Sequence, residues 1–468
     1  MSGDAAGAAR APRARVAILV AGEATALAVG WLVGWVAALL GAAVVLVLWR
    51  FGSNLRWMQV ACMLAGAFTL YTQGHLTRDL SVVCAFGALA GILGIREYRQ
   101  RGWTLPRNAL TTALGLWFLV TFWGMAVGLV RGNNLKYAGI DLADALALSA
   151  AILAPLWRAR PRAFQGVIAA VVGVSWVSSL FGLGALLFVF HQRVGDAWFS
   201  PIPPMAALVL LSVALHAPEA RTRWPCAALS VVPLANLLLS FTRAYWMGFL
   251  AALGGVVALF VWTSARRGRA LVQMVWGTLV FALVAVAALG TSQFLLGADV
   301  GWSVGQRFES SFTTQASGNT ISNVLRLTEW AAALDMIRRN PVVGYGAGGA
   351  LLSEDPFIGF RREHPYIHEM YLFQTFKYGI PGLLALLFLF AAFGWAGVRE
   401  AIRGPTWERR AMGAAAVGIT VLIAVISLFD FAMTHVTAAL PLAFLWGLML
   451  PVTHPDGSTR LEWNEADR

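Results

Sequence analysis

Apolar residues run in long blocks from about residue 16 to residue 451, and short polar or basic connections separate the blocks. A helix needs roughly 20 apolar residues to cross a bilayer. The pattern therefore predicts an all-α polytopic membrane protein with about 14 spans. The predicted spans lie near 16–31, 33–49, 57–74, 80–95, 109–130, 140–157, 165–190, 202–217, 225–241, 244–263, 271–294, 367–397, 411–429 and 433–451. The first block continues to residue 49 without a cleavage site followed by polar chain, so we interpret it as two joined spans and not a signal peptide.

One connection, residues 295–366, is much longer than the others. It divides the chain into a transmembrane bundle (1–294), a loop domain (295–366), C-terminal spans (367–451) and a tail (452–468). Within the loop, Leu327, Trp330, Leu334 and Ile337 recur at helical spacing, and Pro341 follows. This predicts an amphipathic helix that lies on the membrane surface or against the bundle. Long loops in compact proteins often carry function, so we expect the chemistry here.

Composition supports the membrane assignment: 59% of the 468 residues are hydrophobic and 12% are charged, against about 25% charged in soluble domains. The net charge of +12 reflects topology. With the amino terminus in the cytoplasm, 23 of the 35 Lys and Arg residues fall on the cytoplasmic side and 11 on the other. Because basic residues in short loops stay in the cytoplasm, both termini are predicted there and the 295–366 loop in the periplasm. Nucleic-acid binding is not implied.

The residues available for chemistry on the periplasmic side are mainly histidine and arginine. Cys62, Cys84 and Cys226 all lie in apolar stretches and predict neither a disulfide framework nor a metal site. No Walker loop, nucleophile elbow or zinc-spaced helix is present. An arginine fork grips phosphate oxygens, and histidine can accept a proton near neutral pH. The periplasmic candidates are His75, His191, His364, His368, His435, Arg193, Arg243, Arg307, Arg326, Arg361 and Arg362.

The order of several short motifs resembles the O-antigen ligase and polymerase family. The series is Thr242-Arg243, then Arg326, Trp330, Pro341, Gly344-Tyr-Gly-Ala-Gly348, His368-Glu-Met-Tyr-Leu372 and Gly379-Ile-Pro-Gly382, with a similar upstream turn at Arg131-Gly-Asn-Asn134. His368, Tyr371, Leu372 and Thr375 are predicted to share one helix face. Two positions depart from the family pattern: Glu369 replaces the usual Asn, and Lys377 stands where an acidic residue is common.

The resemblance implies a metal-independent, inverting glycosyltransferase of the bacterial inner membrane that needs no cofactor. Its donor would be an undecaprenyl-diphosphate-linked glycan, and its acceptor a glycolipid or glycan within the membrane lipids. Arg243 and Arg326, with Arg193, would hold the diphosphate, and His368 would act as base or orienting group. Tyr371 and His364 are the further substrate-binding candidates.

Several alternatives stay open at this point. The acceptor can be lipid A core, a second lipid-linked glycan (polymerase) or a protein, and a polysaccharide or lipid transporter is a more distant alternative. Transporters often show inverted repeats with midplane sites, whereas here the polar residues gather at one face. At the residue level, Arg243 could merely reach lipid headgroups and His368 could merely cap a helix. The glycines 344, 346 and 348 could form either a tight turn or a flexible hinge.

Overall fold

The computed structural model describes residues 94–159, 163–185, 201–240, 242–263, 317–354, 361–431, 433 and 436–461. All of them belong to one structural unit, Gln73–Arg468. The predicted spans near 16–31, 33–49, 57–74 and 271–294 lie outside the described residues, as does nearly all of 80–95. Arg193 also lies outside them.

Helices dominate the described chain. They are α1 (Ala109–Val130), α2 (Leu135–Ala147), a 3-10 helix (Leu148–Ile152), α3 (Ala154–Arg158), α4 (Ala163–Ala185), α5 (Ile202–His216), α6 (Ala220–Leu229), α7 (Val231–Leu239), α8 (Arg243–Thr263), α9 (Ser317–Arg339), α10 (Met370–Arg403), α11 (Trp407–Ile426) and α12 (Val436–Gly447). Two short antiparallel hairpins accompany them: β1 (Leu351–Glu354) with β2 (Arg361–His364), and β3 (Val452–Thr453) with β4 (Thr459–Arg460).

Within the described residues, five helical segments are long and apolar enough to cross a membrane: Ala109–Val130, Leu135–Arg158, Arg243–Thr263, Met370–Arg403 and Trp407–Ile426. The helical membrane class predicted from the sequence is therefore confirmed, whereas the total of about 14 spans stays a prediction. The apolar stretch 225–241 differs from expectation: it forms two short helices, α6 and α7, that meet at Ser230.

Helix α11 lies at the centre of the described bundle and packs against α5, α8 and α10. Its buried face is rich in small residues, which let helix backbones approach closely in lipid. A Cβ on Gly413 would come within 2.4 Å of the Ala401 nitrogen in α10, and one on Gly418 within 2.7 Å of Val256 in α8. These close crossings fix α8, α10 and α11 relative to one another.

The helix predicted inside the long loop is present as α9, and it ends just before Asn340 and Pro341. Its buried face carries Glu329 and Ala333 and contacts α10. Two residues of its apolar stripe face outward, since Leu327 is 59% exposed and Leu334 is 42% exposed. The other two, Trp330 and Ile337, are half-buried, so the stripe is only partly covered and both alternatives for this helix stay open.

Candidate active site

His368 makes its polar contacts with Glu329, a residue of α9. The backbone N–H of His368 donates to Glu329 Oε1 at 2.7 Å, and the ring Nδ1 lies 2.9 Å from Glu329 Oε2. The glutamate side chain is 9% exposed and that of the histidine 43%. Because a carboxylate only accepts hydrogen bonds, this pairing assigns the proton of a neutral ring to Nδ1. Nε2 is then a proton acceptor on a partly exposed ring.

The start of α10 differs from the sequence-based prediction. Glu369 has an extended backbone and caps the helix, accepting hydrogen bonds from the N–H groups of Tyr371 at 3.2 Å and of Leu372. A capping residue stands outside the regular helix, so α10 begins at Met370 and His368 precedes it. The prediction that His368 shares a helix face with Tyr371 was therefore wrong. Its position before the cap is what lets it bond to α9.

Burial raises the pKa of Glu369 to about 7, although its two backbone hydrogen bonds act in the opposite direction. The usual family residue at this position, Asn, could accept the same backbone hydrogen bonds. Glu369 thus provides the same helix cap as the Asn that it replaces, and it adds a carboxyl group that titrates near neutral pH.

A short segment after α11, residues 427–431, connects the parts of the site. The Ser427 carbonyl accepts a hydrogen bond from Met370 N–H at 2.8 Å, at the start of α10. The Phe429 carbonyl accepts one from Arg326 Nη1 of α9 at 3.1 Å. Segment 427–431 therefore ties the Arg326 side of α9 to the His368 end of α10.

Aromatic rings enclose His368 on one side. The ring of Phe431 meets the imidazole edge to face with centroids 5.2 Å apart, and Tyr366 stacks on Phe431 at 5.4 Å. Burial raises the pKa of Tyr366, so this residue stays a neutral phenol at physiological pH. The imidazole is thus held between a carboxylate and an aromatic wall.

Arg243 is the first residue of α8 and lies at the same end of the bundle. One turn further on, a Cβ on Gly248 would come 3.0 Å from Ile426, the last residue of α11. Segment 427–431 follows Ile426 directly. The structure therefore brings Arg243, Arg326 and His368 to one end of the helices.

Three further residues were predicted to bind substrate, and they have different surroundings. Tyr371 donates its hydroxyl hydrogen to the Ala424 carbonyl of α11 at 2.8 Å, which leaves its oxygen lone pairs as acceptors. His364 ends strand β2, opposite Leu351 of β1. Arg193 lies outside the described residues.

The glycine-rich run forms a packed turn. Gly346 N–H donates to the Lys377 carbonyl and Ala347 N–H to the Gly124 carbonyl, both at 2.8 Å. From the upstream turn, Asn133 Nδ2 donates to the carbonyls of residues 345 and 347 at 2.8 and 3.0 Å. Gly346 has φ +83°, and a Cβ there would lie 2.4 Å from the Gly128 nitrogen of α1. The tight-turn alternative therefore describes 344–348, and the flexible-hinge alternative does not.

Lys377, the second departure from the family pattern, has a buried partner. Its Nζ lies 2.8 Å from Asp141 Oδ2 of α2, and both side chains are at most 1% exposed. The same oxygen accepts the Gly348 N–H at 2.8 Å. This ion pair links α2, the 344–348 turn and α10. Lys377 therefore has a structural role in this chain.

Comparison with known proteins agrees with this arrangement. Residues 228–387 match the family model described as O-antigen ligase, and this match supports membership of that family. No curated protein sequence matches the chain. The match includes Arg243, Arg326, Glu329 and His368, and the family indicates a glycosyltransferase-like enzyme.

Sequence reasoning did not identify Glu329 as a functional residue. It lies beside the apolar stripe of α9, 39 residues from His368 along the chain. A signal was available: Arg326 and Glu329 stand at i and i+3, so they lie on adjacent positions of one helix face. Asp141 was likewise not foreseen as the partner of Lys377. Among the described residues, no group of three or more His, Cys, Asp or Glu is arranged to hold a metal ion.

Proposed function

We propose that this protein transfers a glycan from undecaprenyl diphosphate to an acceptor hydroxyl on the periplasmic face of the bacterial inner membrane, as an O-antigen ligase with a lipid A core acceptor. The observation that carries the proposal is the pairing of His368 with Glu329. A buried carboxylate on Nδ1 orients the ring and leaves Nε2 free to accept a proton.

In the proposed step, the acceptor oxygen attacks the anomeric carbon of the donor sugar while its proton moves to His368 Nε2. Glu329 stabilises the imidazolium that forms, as the aspartate does in a Ser-His-Asp triad. The bond between the anomeric carbon and the diphosphate oxygen breaks, and the diphosphate takes the bonding electrons. A single displacement of this kind inverts the anomeric carbon.

The developing charge on the diphosphate would be stabilised by Arg243 and Arg326, together with Arg193. Arg326 uses Nη1 for the Phe429 carbonyl, and a guanidinium has further N–H donors. Arginine suits this role because its planar fork can bind two phosphate oxygens in parallel. A diphosphate is a weakly basic leaving group, so it needs neutralisation of charge more than a general acid.

The central test uses the purified protein and a synthetic lipid-linked donor. His368→Ala and His368→Gln should lower the transfer rate by about 10²–10⁴-fold, with donor binding largely kept. His364→Ala, four residues earlier and within β2, is the matched control and should be milder. Loss of transfer in His364→Ala with an active His368→Ala would mean that the wrong histidine has been assigned. If both variants stay active, neither histidine accepts the proton.

A second substitution tests the role of Glu329 as a positioning residue. Glu329→Gln keeps the side chain's size and a hydrogen-bond acceptor but removes the negative charge that stabilises the imidazolium. We expect kcat to fall by about 10²-fold, with the KM for the donor little changed. Glu369→Gln is the control, because it neutralises an adjacent buried acid whose carboxylate bonds to the N–H groups of Tyr371 and Leu372 and not to His368. Equal effects of the two substitutions would remove the special role of Glu329.

A deletion strain separates ligase from polymerase. If the acceptor is lipid A core, long chains should remain on the carrier lipid and the surface polysaccharide should be lost. Accumulation of single repeats on the acceptor would instead identify a polymerase.

A further inference from the structure

The end of the bundle opposite His368 contains a large basic cavity. Its volume is about 1110 Å³, and its lining includes the start of α1 and the last turns of α10. The 22-residue helix α1 is about 33 Å long, close to the roughly 30 Å of a bilayer's hydrocarbon core. The 344–348 turn contacts the far end of α1, at Gly128. The cavity therefore lies at the other membrane interface, where lipid headgroups are found.

The arginines that line the cavity differ in their partners. Arg409 lies 2.8 Å from Glu400, and Arg101 lies 2.8 Å from Glu97. Arg107 and Arg399 are exposed, and neither forms an ion pair within the described part of the chain. Glu400 is the acidic side chain among the described lining residues, and Arg409 already neutralises it. Two guanidinium groups thus remain available to an anion in a concave site.

One wall of the same cavity is apolar. Ala392, Trp395 and Leu110 contribute to it, and Trp395 is 69% exposed on α10. A tryptophan at this level is typical of the interface between headgroups and acyl chains. A free inorganic anion would gain nothing from apolar contact with this wall, whereas the acyl chain of a lipid would pack against it.

We propose that this cavity binds the phosphate group of an anionic membrane phospholipid, with Arg107 and Arg399 on the phosphate and the acyl chain beside Trp395. Arginine recognises phosphate through paired N–H donors. The site is separate from the His368 end and does not depend on the glycan-transfer proposal.

The test measures lipid binding by the full-length protein in nanodiscs. Labelled phosphatidylglycerol is titrated into phosphatidylcholine nanodiscs that contain the wild type or the double variant Arg107→Gln/Arg399→Gln. The control Arg221→Gln/Arg403→Gln removes the same charge from exposed arginines that do not line the cavity. Arg403 is one turn from Arg399 on the same helix. Parallel titrations use inorganic diphosphate with no anionic lipid present.

We expect the cavity variant to bind phosphatidylglycerol about 30-fold more weakly than the wild type, and the control variant to bind it normally. Equal weakening in both double variants would mean that only general surface charge attracts the lipid, and would overturn the site. Tight binding of diphosphate without any preference for phosphatidylglycerol would overturn the lipid as the source of the phosphate. Because all four arginines are exposed or at helix ends, the melting temperatures of both variants should stay close to wild type, which confirms that they fold.

Discussion

Arg243 offers both a positive charge and a planar fork of donors, and a single substitution separates the two. Arg243→Lys keeps the charge but removes the fork, so we expect transfer to be severely weakened while the protein still inserts and accumulates. Surface polysaccharide and membrane abundance are measured together. Arg338→Lys is the control, since Arg338 is exposed in the last turn of α9. Near-normal polysaccharide in both Arg243→Lys and Arg243→Ala would mean that Arg243 only reaches lipid headgroups.

Glu369 gives a prediction about pH. Its pKa in the folded protein is about 7, against an ordinary value of 4.5, because burial disfavours the charged carboxylate. The folded state therefore holds a proton that the unfolded state releases, and stability falls as the pH rises from about 4.5 to 7. We expect the melting temperature of the wild type in detergent to decrease over this range through this group. Glu369→Gln should reduce that decrease, and an unchanged pH dependence would contradict the assignment.

At the residue level, the order of motifs along the chain singled out Arg243, Arg326 and His368. The structure places all three at one end of the bundle, and their roles stay a prediction. The partner of His368 was not predicted, because the Glu329 contact joins α9 to the residue before α10 across 39 positions. The helix start was predicted two to three residues early, since a glutamate is an unusual cap and the pattern of apolar residues continues across it.

At the scale of elements, the 344–348 turn joins α1, α2 and α10, and it allows a sharp test. Gly346 and Gly132 both have positive φ, +83° and +69°, but only Gly346 faces a neighbouring backbone, while a Cβ on Gly132 would enter open space. Gly132→Ala should therefore destabilise by about 1–2 kcal/mol through backbone strain. Gly346→Ala adds a clash with α1 and should destabilise by about 2–5 kcal/mol. Thermal unfolding in detergent measures both, and equal losses would mean that the turn is not packed against α1.

Element prediction was most accurate for the long uniform helices α1, α8 and α11, whose bounds differ from the expected spans by a few residues at most. It was less accurate where tertiary packing decides which face of a helix is buried. The apolar stripe of α9 predicted the existence of the helix correctly, but the buried positions are Glu329 and Ala333. In a membrane protein apolar residues can face lipid while polar ones turn inward, so the stripe alone does not identify the packed face.

For the whole molecule, the arrangement of basic groups at two ends matters most. One end carries Arg243, Arg326 and the His368–Glu329 pair, and the other has the cavity with Arg107 and Arg399. We expect the cavity end to face the cytoplasm, because basic residues in short loops are retained there. The orientation of the bundle therefore decides which end is available to a periplasmic substrate, and it can be measured directly.

Two matched cysteine substitutions test this orientation in a background in which Cys62, Cys84 and Cys226 are replaced by serine. Arg338→Cys and Arg403→Cys each replace an exposed arginine in the last turn of a helix, α9 and α10 respectively. With the outer membrane permeabilised, an impermeant maleimide should label position 338 in intact cells. Position 403 should be labelled only after lysis, because the basic loops favour the cytoplasm. Labelling of both positions from the same side would overturn the topology, and labelling of position 403 alone would place the His368 end in the cytoplasm, away from a periplasmic donor.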